Sequence, residues 1–274
     1  MSFWALQVHA RSMPVMTNGD GEVIGLRSPL LSSVPNLVHG FTTRIGGVSR
    51  GPWSTLNLGH GVGDDHSRVE ENRRRLVSCA RLSALFGVSQ VHGSNVVVLT
   101  AESHTETVLS ENADALVTRT SGQAVSVRTA DCVPVLMVDP LVPVIGAVHA
   151  GWRGLAAGVL QAALVRMVND LGADPERVMA AMGPAIGPCC FEVGHDVAAR
   201  LASLGSGVVV GGENGSQPRA DLFTATRSAL RAFGLRSTAI DKVGECTCCD
   251  ERRFFSHRRD KGRTGRHISY IAIQ

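Results

Sequence analysis

The sequence predicts an α/β domain, a β-sheet core covered by helices. Three observations carry that prediction. The 274-residue chain is 44% hydrophobic, enough to bury a sizeable core. β-Branched runs of strand length recur through its middle. Amphipathic stretches with helical spacing lie before and after them. No internal repeat or low-complexity linker divides the chain, so residues 1–274 read as a single catalytic domain, with about 1–35 as an irregular lead-in.

Along the chain, residues 1–35 hold Pro14, a turn-like TNGDG, Pro29 and Pro35, which leaves room for one or two strands. Residues 64–82 read as a helix capped by Asp64 or Asp65, with Val69, Leu76, Val77 and Ala80 on one stripe. Residues 88–100 read as two short strands broken at Gly93. The runs 114–119, 124–129, 133–139 and 143–150 read as strands, and several are apolar without alternation, as expected where both faces are covered. A long helix is expected over 153–171, stopped by Gly172. Residues 177–187 read as another strand, 194–203 and 220–234 as helices, and 238–243 and 267–273 as closing strands.

The formal net charge of +3 does not by itself suggest a nucleic-acid partner. No apolar run reaches the ~18 residues that a membrane helix requires. The first sixteen residues lack a signal-peptide core, which makes the cytoplasm the expected compartment. There the seven cysteines should stay reduced.

The stretch AVHAGWRGLAAG (147–158) places His149 and Arg153 around a Gly–Trp pair at a strand-to-helix turn. Such a turn exposes side chains, and the first N–H groups of a helix favour an anion. Gly151 and Gly154 would let the backbone come close to a ligand. Taken alone, the stretch reads as well as a sharp bend with a space-filling histidine. Two other positions change that balance. His92 lies where a strand meets Gly93, and Cys132 lies between two strand runs. Two histidines and a cysteine, each at a strand end, make a three-ligand metal site. Zinc suits this set and would keep a fourth position open. Copper is the less favoured ion. His39, before Gly40, is a further ligand or supporting group.

HGFTTRIGGVSRGPWSTLNLG (39–59), VEENRRRL (69–76), QVHGSNV (90–96), DALVT (114–118), TADCVPVLMVD (129–139), VHAGWRG (148–154), GPAIGPCCFEVG (183–194) and FFSHRRDKGRTGRH (254–267) follow in order. Together they resemble the bacterial YfiH/YlmD proteins, once called polyphenol oxidases or laccases and similar to a vertebrate purine nucleoside enzyme. The resemblance covers about 37–274. It implies a single domain of layered mixed β-sheets and a zinc held by His92, Cys132 and His149. It also implies phosphorolysis of adenosine, inosine and S-methyl-5'-thioadenosine, with deamination of adenosine as a companion activity. Some members are linked instead to editing wrongly built cell-wall precursors.

For phosphorolysis the chain must hold phosphate, and arginines do so bidentately. Arg44, Arg153 and Arg258 are the candidates, with Arg258 assigned a catalytic part. His39, Asp131, Gly151 and Trp152 complete the expected substrate-binding set, Trp152 by stacking on a purine. For deamination, a metal's capacity to lower the pKa of water is the natural source of a nucleophile. Residues 251–266 hold seven basic residues against two acidic ones. They are read as a loop partly lining an anionic-substrate pocket, in preference to a nucleic-acid patch. Cys189, Cys190, Cys246, Cys248 and Cys249 are read as buried reduced thiols in preference to a second zinc site.

Three rival functions follow from the same residues. A multicopper oxidase needs many His-x-His pairs, and no two of the ten histidines are separated by a single residue. A hydrolase or amidase would use Cys132 as nucleophile and His149 as base. A binding protein would use zinc only to support the fold.

Overall fold

The computed structural model describes residues 15–274 apart from positions 18, 20 and 213–215. Expectations for residues 1–14, including Pro14 and most of the segment read for a signal peptide, lie outside the described residues. From residue 15 the lead-in is more ordered than its turn-rich composition suggests. β1 (Val15–Thr17) and β2 (Val23–Leu26) pair antiparallel, and β3 (Leu37–Thr42) joins them. α1 (His66–Ala80) is capped by Asp65, whose carboxylate accepts the Ser67 N–H, and ends at Arg81 in the left-handed region. β4 (Ala84–Phe86) precedes the segment expected as two strands, and β5 (Val96–Val98) is the second of them. The first half of that segment is instead a loop, because His92 adopts φ 59, which extended backbone does not allow.

A short α2 (Thr105–Leu109) precedes four consecutive strands: β6 (Ala115–Thr118), β7 (Gln123–Thr129), β8 (Val133–Asp139) and β9 (Val144–Ala150). The long helix expected next is broken. α3 (Trp152–Ala156) stops, and α4 (Val159–Asn169) starts again from Gly158, held at φ 81. A left-handed residue cannot continue a right-handed helix, and glycine takes that conformation without a Cβ clash. β10 (Met179–Met182), α5 (His195–Ala202), β11 (Val209–Val210), β12 (Arg219–Ala220), α6 (Leu222–Ala232), β13 (Ile240–Lys242) and β14 (His267–Ile273) complete the chain. Asp221 caps α6 by accepting from the N–H groups of Phe223 and Thr224.

The strands form two six-stranded mixed sheets, in the orders β1-β2-β3-β14-β7-β4 and β13-β10-β8-β9-β6-β5. Phe41, Val125 and Ile271 of the first sheet pack against Leu116, Leu136 and Ile145 of the second. On the outer side of the first sheet, Ile268 and Tyr270 meet Leu76 and Ala80 of α1. On the outer side of the second, Val135, Met137 and Val148 meet Leu160, Leu164 and Met167 of α4. The order helix, sheet, sheet, helices explains the unbroken apolar runs. All of β8 and β9 is buried, so neither face carries a polar alternation, although the two strands pair antiparallel. Among the described residues, no helix is long and apolar enough to cross a membrane.

Candidate active site

Two strand ends and a loop meet at one end of the second sheet. β8 begins just after Cys132, and its register sets Pro134 opposite His149 and Val133 opposite Ala150 near the end of β9. The loop before β5 brings His92 across. The candidate ligand atoms of His92, Cys132 and His149 all lie within 4.8 Å of one another. The two imidazoles meet edge to face with centroids 4.8 Å apart. His149 is buried, Cys132 half-buried and His92 exposed, so the group opens to solvent on the His92 side.

Asp114 organises this group. It is fully buried at the head of β6. Its Oδ1 lies 2.7 Å from His149 Nδ1 and accepts the His92 N–H at 2.9 Å. Its Oδ2 accepts the Gly93 N–H at 2.6 Å and the Val91 N–H at 3.2 Å. One carboxylate thus fixes the His149 ring and the strained backbone turn that carries His92. Burial pushes this carboxyl up, but His149 and the backbone amides outweigh it and hold it below the usual range. Burial also raises the Cys132 thiol, yet the two histidines bring it down to about 6. Burial lowers His149, but Cys132 and Asp114 outweigh it and lift the imidazole to about 9. The residues present fit a metal such as zinc: two imidazoles, a thiolate-prone cysteine, and a carboxylate behind one ligand.

Above the group lies a cavity of about 610 Å³. The trio, Asp131, Trp152, Arg153 and Arg258 all line it, so most of the expected substrate-binding set converges here. Asp131 stands at φ 91 and is held from both sides: Thr247 Oγ1 donates to Oδ1 at 2.6 Å, and the Arg258 N–H donates to Oδ2 at 2.6 Å. Arg258 Nη1 donates to the carbonyl of Glu192 at 2.8 Å, and its guanidinium sits 5.1 Å from the Phe191 centroid. Arg153 lies over the Trp152 ring at 4.4 Å.

His39 and Arg44 fall elsewhere. His39 is buried within β3, and its Nε2 accepts the Ser28 N–H at 2.9 Å. Arg44 donates from Nε to the Ser54 carbonyl at 2.7 Å and from Nη1 to that of Glu251 at 3.0 Å, with its guanidinium 4.6 Å from the Phe255 ring centroid. Both hold loops to the first sheet, and neither is among the residues lining the cavity. Gly151 does provide a close approach, but to the ligand side chains. A Cβ there would stand 3.0 Å from Cys132 Sγ and 3.2 Å from His92 Cδ2. The helix-dipole expectation also weakens, since α3 has only five residues over which peptide dipoles can add.

Sequence reasoning missed Asp114 and Arg128, and it reached Arg266 only as one of the basic residues of the 251–266 loop. Arg128, from the end of β7, and Arg266, just before β14, line the cavity. Among the described residues, neither guanidinium pairs with a carboxylate within 4.0 Å. Arg128 Nη2 donates to the Val88 carbonyl at 2.8 Å, and Arg266 Nη1 donates to those of Thr264 and Gly265. Burial lowers the pKa of both; Arg73 and Arg266 push Arg128 further down, whereas Cys132 and Asp131 pull Arg266 back up. Two half-buried guanidinium groups, neither paired with a carboxylate among the described residues, thus face one cavity. The signal was available: both sit at strand ends, Arg128 immediately before the TADC segment and Arg266 inside the FFSHRRDKGRTGRH motif.

Comparison with known proteins agrees with the architecture. The family model described as "Multi-copper polyphenol oxidoreductase laccase" matches residues 38–274. A Deinococcus radiodurans protein named purine nucleoside phosphorylase is 43% identical over 251 residues, covering 89% of this chain and 93% of its own. The Escherichia coli protein named purine nucleoside phosphorylase YfiH is 40% identical over 234 residues, covering 84% and 91%. The crystal structure of YlmD from Geobacillus stearothermophilus superposes with a TM-score of 0.85 at 32% identity, covering 95% of this chain and all of that one. From its family match, its relatives and its two-sheet architecture, the chain belongs to the YfiH/YlmD family.

Proposed function

We propose that this protein is a zinc-dependent purine nucleoside phosphorylase acting on adenosine, inosine and S-methyl-5'-thioadenosine, with adenosine deamination as a second activity at the same site. One observation carries the reading: a His/Cys/His ligand group and unpaired arginines share one cavity. The names of the relatives support the reaction class. In phosphorolysis, a phosphate oxygen attacks the anomeric carbon as the glycosidic bond breaks. The bonding pair leaves with the purine, giving free base and ribose 1-phosphate.

His92, Cys132 and His149 would hold the ion, which when bound supplies Lewis-acid polarisation of a donor atom in the cavity. Asp114 holds His149 by Nδ1 and so leaves Nε2 free to face the site. Arg128 and Arg266 bind phosphate, with Arg258 at the rim, and keep the anion against the ribose where positive charge develops. Trp152 and Phe191 supply aromatic faces for the purine. Seven free cysteines suit a reducing, cytoplasmic setting.

A second reading rests on the line Cys132–His149–Asp114, which has the order of a nucleophile, base and orienting acid. On that reading the protein is a cysteine hydrolase or amidase, for instance one editing cell-wall precursors. The histidine pattern disfavours a copper oxidase despite the family's laccase label. The test is chromatography of inosine and adenosine incubated with protein, with and without phosphate. Base and sugar phosphate formed only with phosphate support phosphorolysis. Base without phosphate dependence, or no base at all, rejects it.

A further inference from the structure

We propose that Cys189, Cys190, Cys246 and Cys249 form a second metal site, a tetrathiolate centre for zinc that staples one wall of the cavity. The four thiols come from two separate segments. The loop after β10 carries Gly-Pro-Cys-Cys, and the loop after β13 carries a Cys-x-x-Cys. Their Sγ atoms all lie within 4.8 Å of one another. Cys190 Sγ is 3.4 Å and Cys189 Sγ 3.6 Å from Cys249 Sγ. Zinc–sulfur bonds of about 2.3 Å in a tetrahedron put sulfurs about 3.8 Å apart, so the cluster is near the size the ion requires.

Two further features point to a ligand. First, Cys246 Sγ accepts the Gly187 N–H at 3.2 Å, a backbone contact of the kind that metal-bound sulfurs commonly receive. Second, none of the four is buried: Cys189 and Cys249 are exposed, Cys190 and Cys246 half-buried. Burial as small apolar side chains, the expectation from sequence, therefore does not explain why they converge. Cys248, the fifth cysteine of these loops, lies outside the cluster.

The two loops also carry the cavity wall. Ile186 and Phe191 line it from the first loop. Thr247 of the second holds Asp131, next to Cys132. The carbonyls of Cys190 and Glu192 receive Arg258. A bridge between Ala185 and Cys246 already sets the loops side by side. An ion across the four sulfurs would fix that register without touching substrate.

The experiment is metal analysis of protein purified under reducing conditions with zinc supplied. Wild type should carry about two zinc ions per chain, and Cys132→Ser, with the first site disabled, about one. Cobalt-loaded Cys132→Ser should show thiolate-to-cobalt charge transfer and the intense visible bands of a tetrahedral centre. A Cys246→Ser/Cys249→Ser variant should lose one ion and melt at lower temperature. If that variant does not fold, the Cys132→Ser protein decides alone, because its cluster is intact. Cys132→Ser without bound zinc or without the charge-transfer band would overturn the proposal. So would a folded double variant with the wild-type metal count, or a mass lower by two hydrogens under reducing purification, which would mark a disulfide.

Discussion

Asp114 does the most with one side chain. It accepts from three consecutive backbone amides and orients His149, all without reaching the cavity. Asp114→Asn should keep the fold but weaken metal binding by about 10–100-fold, as loss of a carboxylate behind a histidine ligand typically does. Competition with a chelator measures it, and wild-type affinity would refute the role. Gly151→Val should displace Cys132 or His92, because its Cβ would crowd both. The expected result is a folded protein with reduced zinc content, checked by elemental analysis beside a melting curve. Arg128→Ala should raise the Michaelis constant for phosphate by about 10–100-fold, the loss of about 1.5–3 kcal/mol for a hydrogen bond to a charged group. An unchanged constant would remove Arg128 from the anion site. His92, Cys132 and His149 were legible in the sequence because each donor stood where a strand met a turn. Asp114 was not, since an acid before an apolar strand looks like a turn residue until the fold places its carboxylate under the next strand's histidine.

At the scale of elements, the caps were the clearest signals. Asp65 and Asp221 both accept from the first turn of their helices, as their positions suggested. α6 brings Leu222 to the cavity wall, so its first turn matters to the site. Asp221→Ala should cost about 1 kcal/mol and lower the melting temperature by a few degrees, as a lost N-cap does. An unchanged melting curve would count against that cap. The break at Gly158 was not legible, because the apolar stripe continues through it. Leu155, Val159 and Leu160 all reach the same core whether one helix or two carry them. Helical periodicity reports which face is buried and is blind to a single left-handed residue. The short strand β4 escaped for a related reason: three residues are too few to establish alternation.

For the whole molecule, apolar runs without alternation foretold doubly covered strands but not their partners. β3 and β14, far apart in sequence, pair at the centre of the first sheet, and nothing local encodes that. Their burial has a pH consequence. Burial first, and Arg27 second, hold His39 at about 4 against the opposing pull of Asp241, and burial holds His267 at about 3. Both lie below the ordinary histidine value, so the unfolded chain takes up protons first as pH falls. Their contribution is therefore complete above about pH 6.5 and is lost as pH drops towards the folded values. At pH 5 the loss at His39 is about 2 kcal/mol. His39→Asn should show a smaller fall in melting temperature between pH 7 and pH 5 than wild type at equal metal load. Equal falls would refute the assignment.

On the function proposed above, the His92/Cys132/His149 group is the reaction centre of a phosphorylase. The most direct measurement follows release of free base from inosine in the presence of phosphate. It uses protein stripped by chelation and then titrated with zinc, with His92→Ala run in parallel. Base release should rise in proportion to occupancy of the trio, saturate when that site is filled, and stay absent in the variant. Full activity in stripped protein, or in His92→Ala, would contradict the claim.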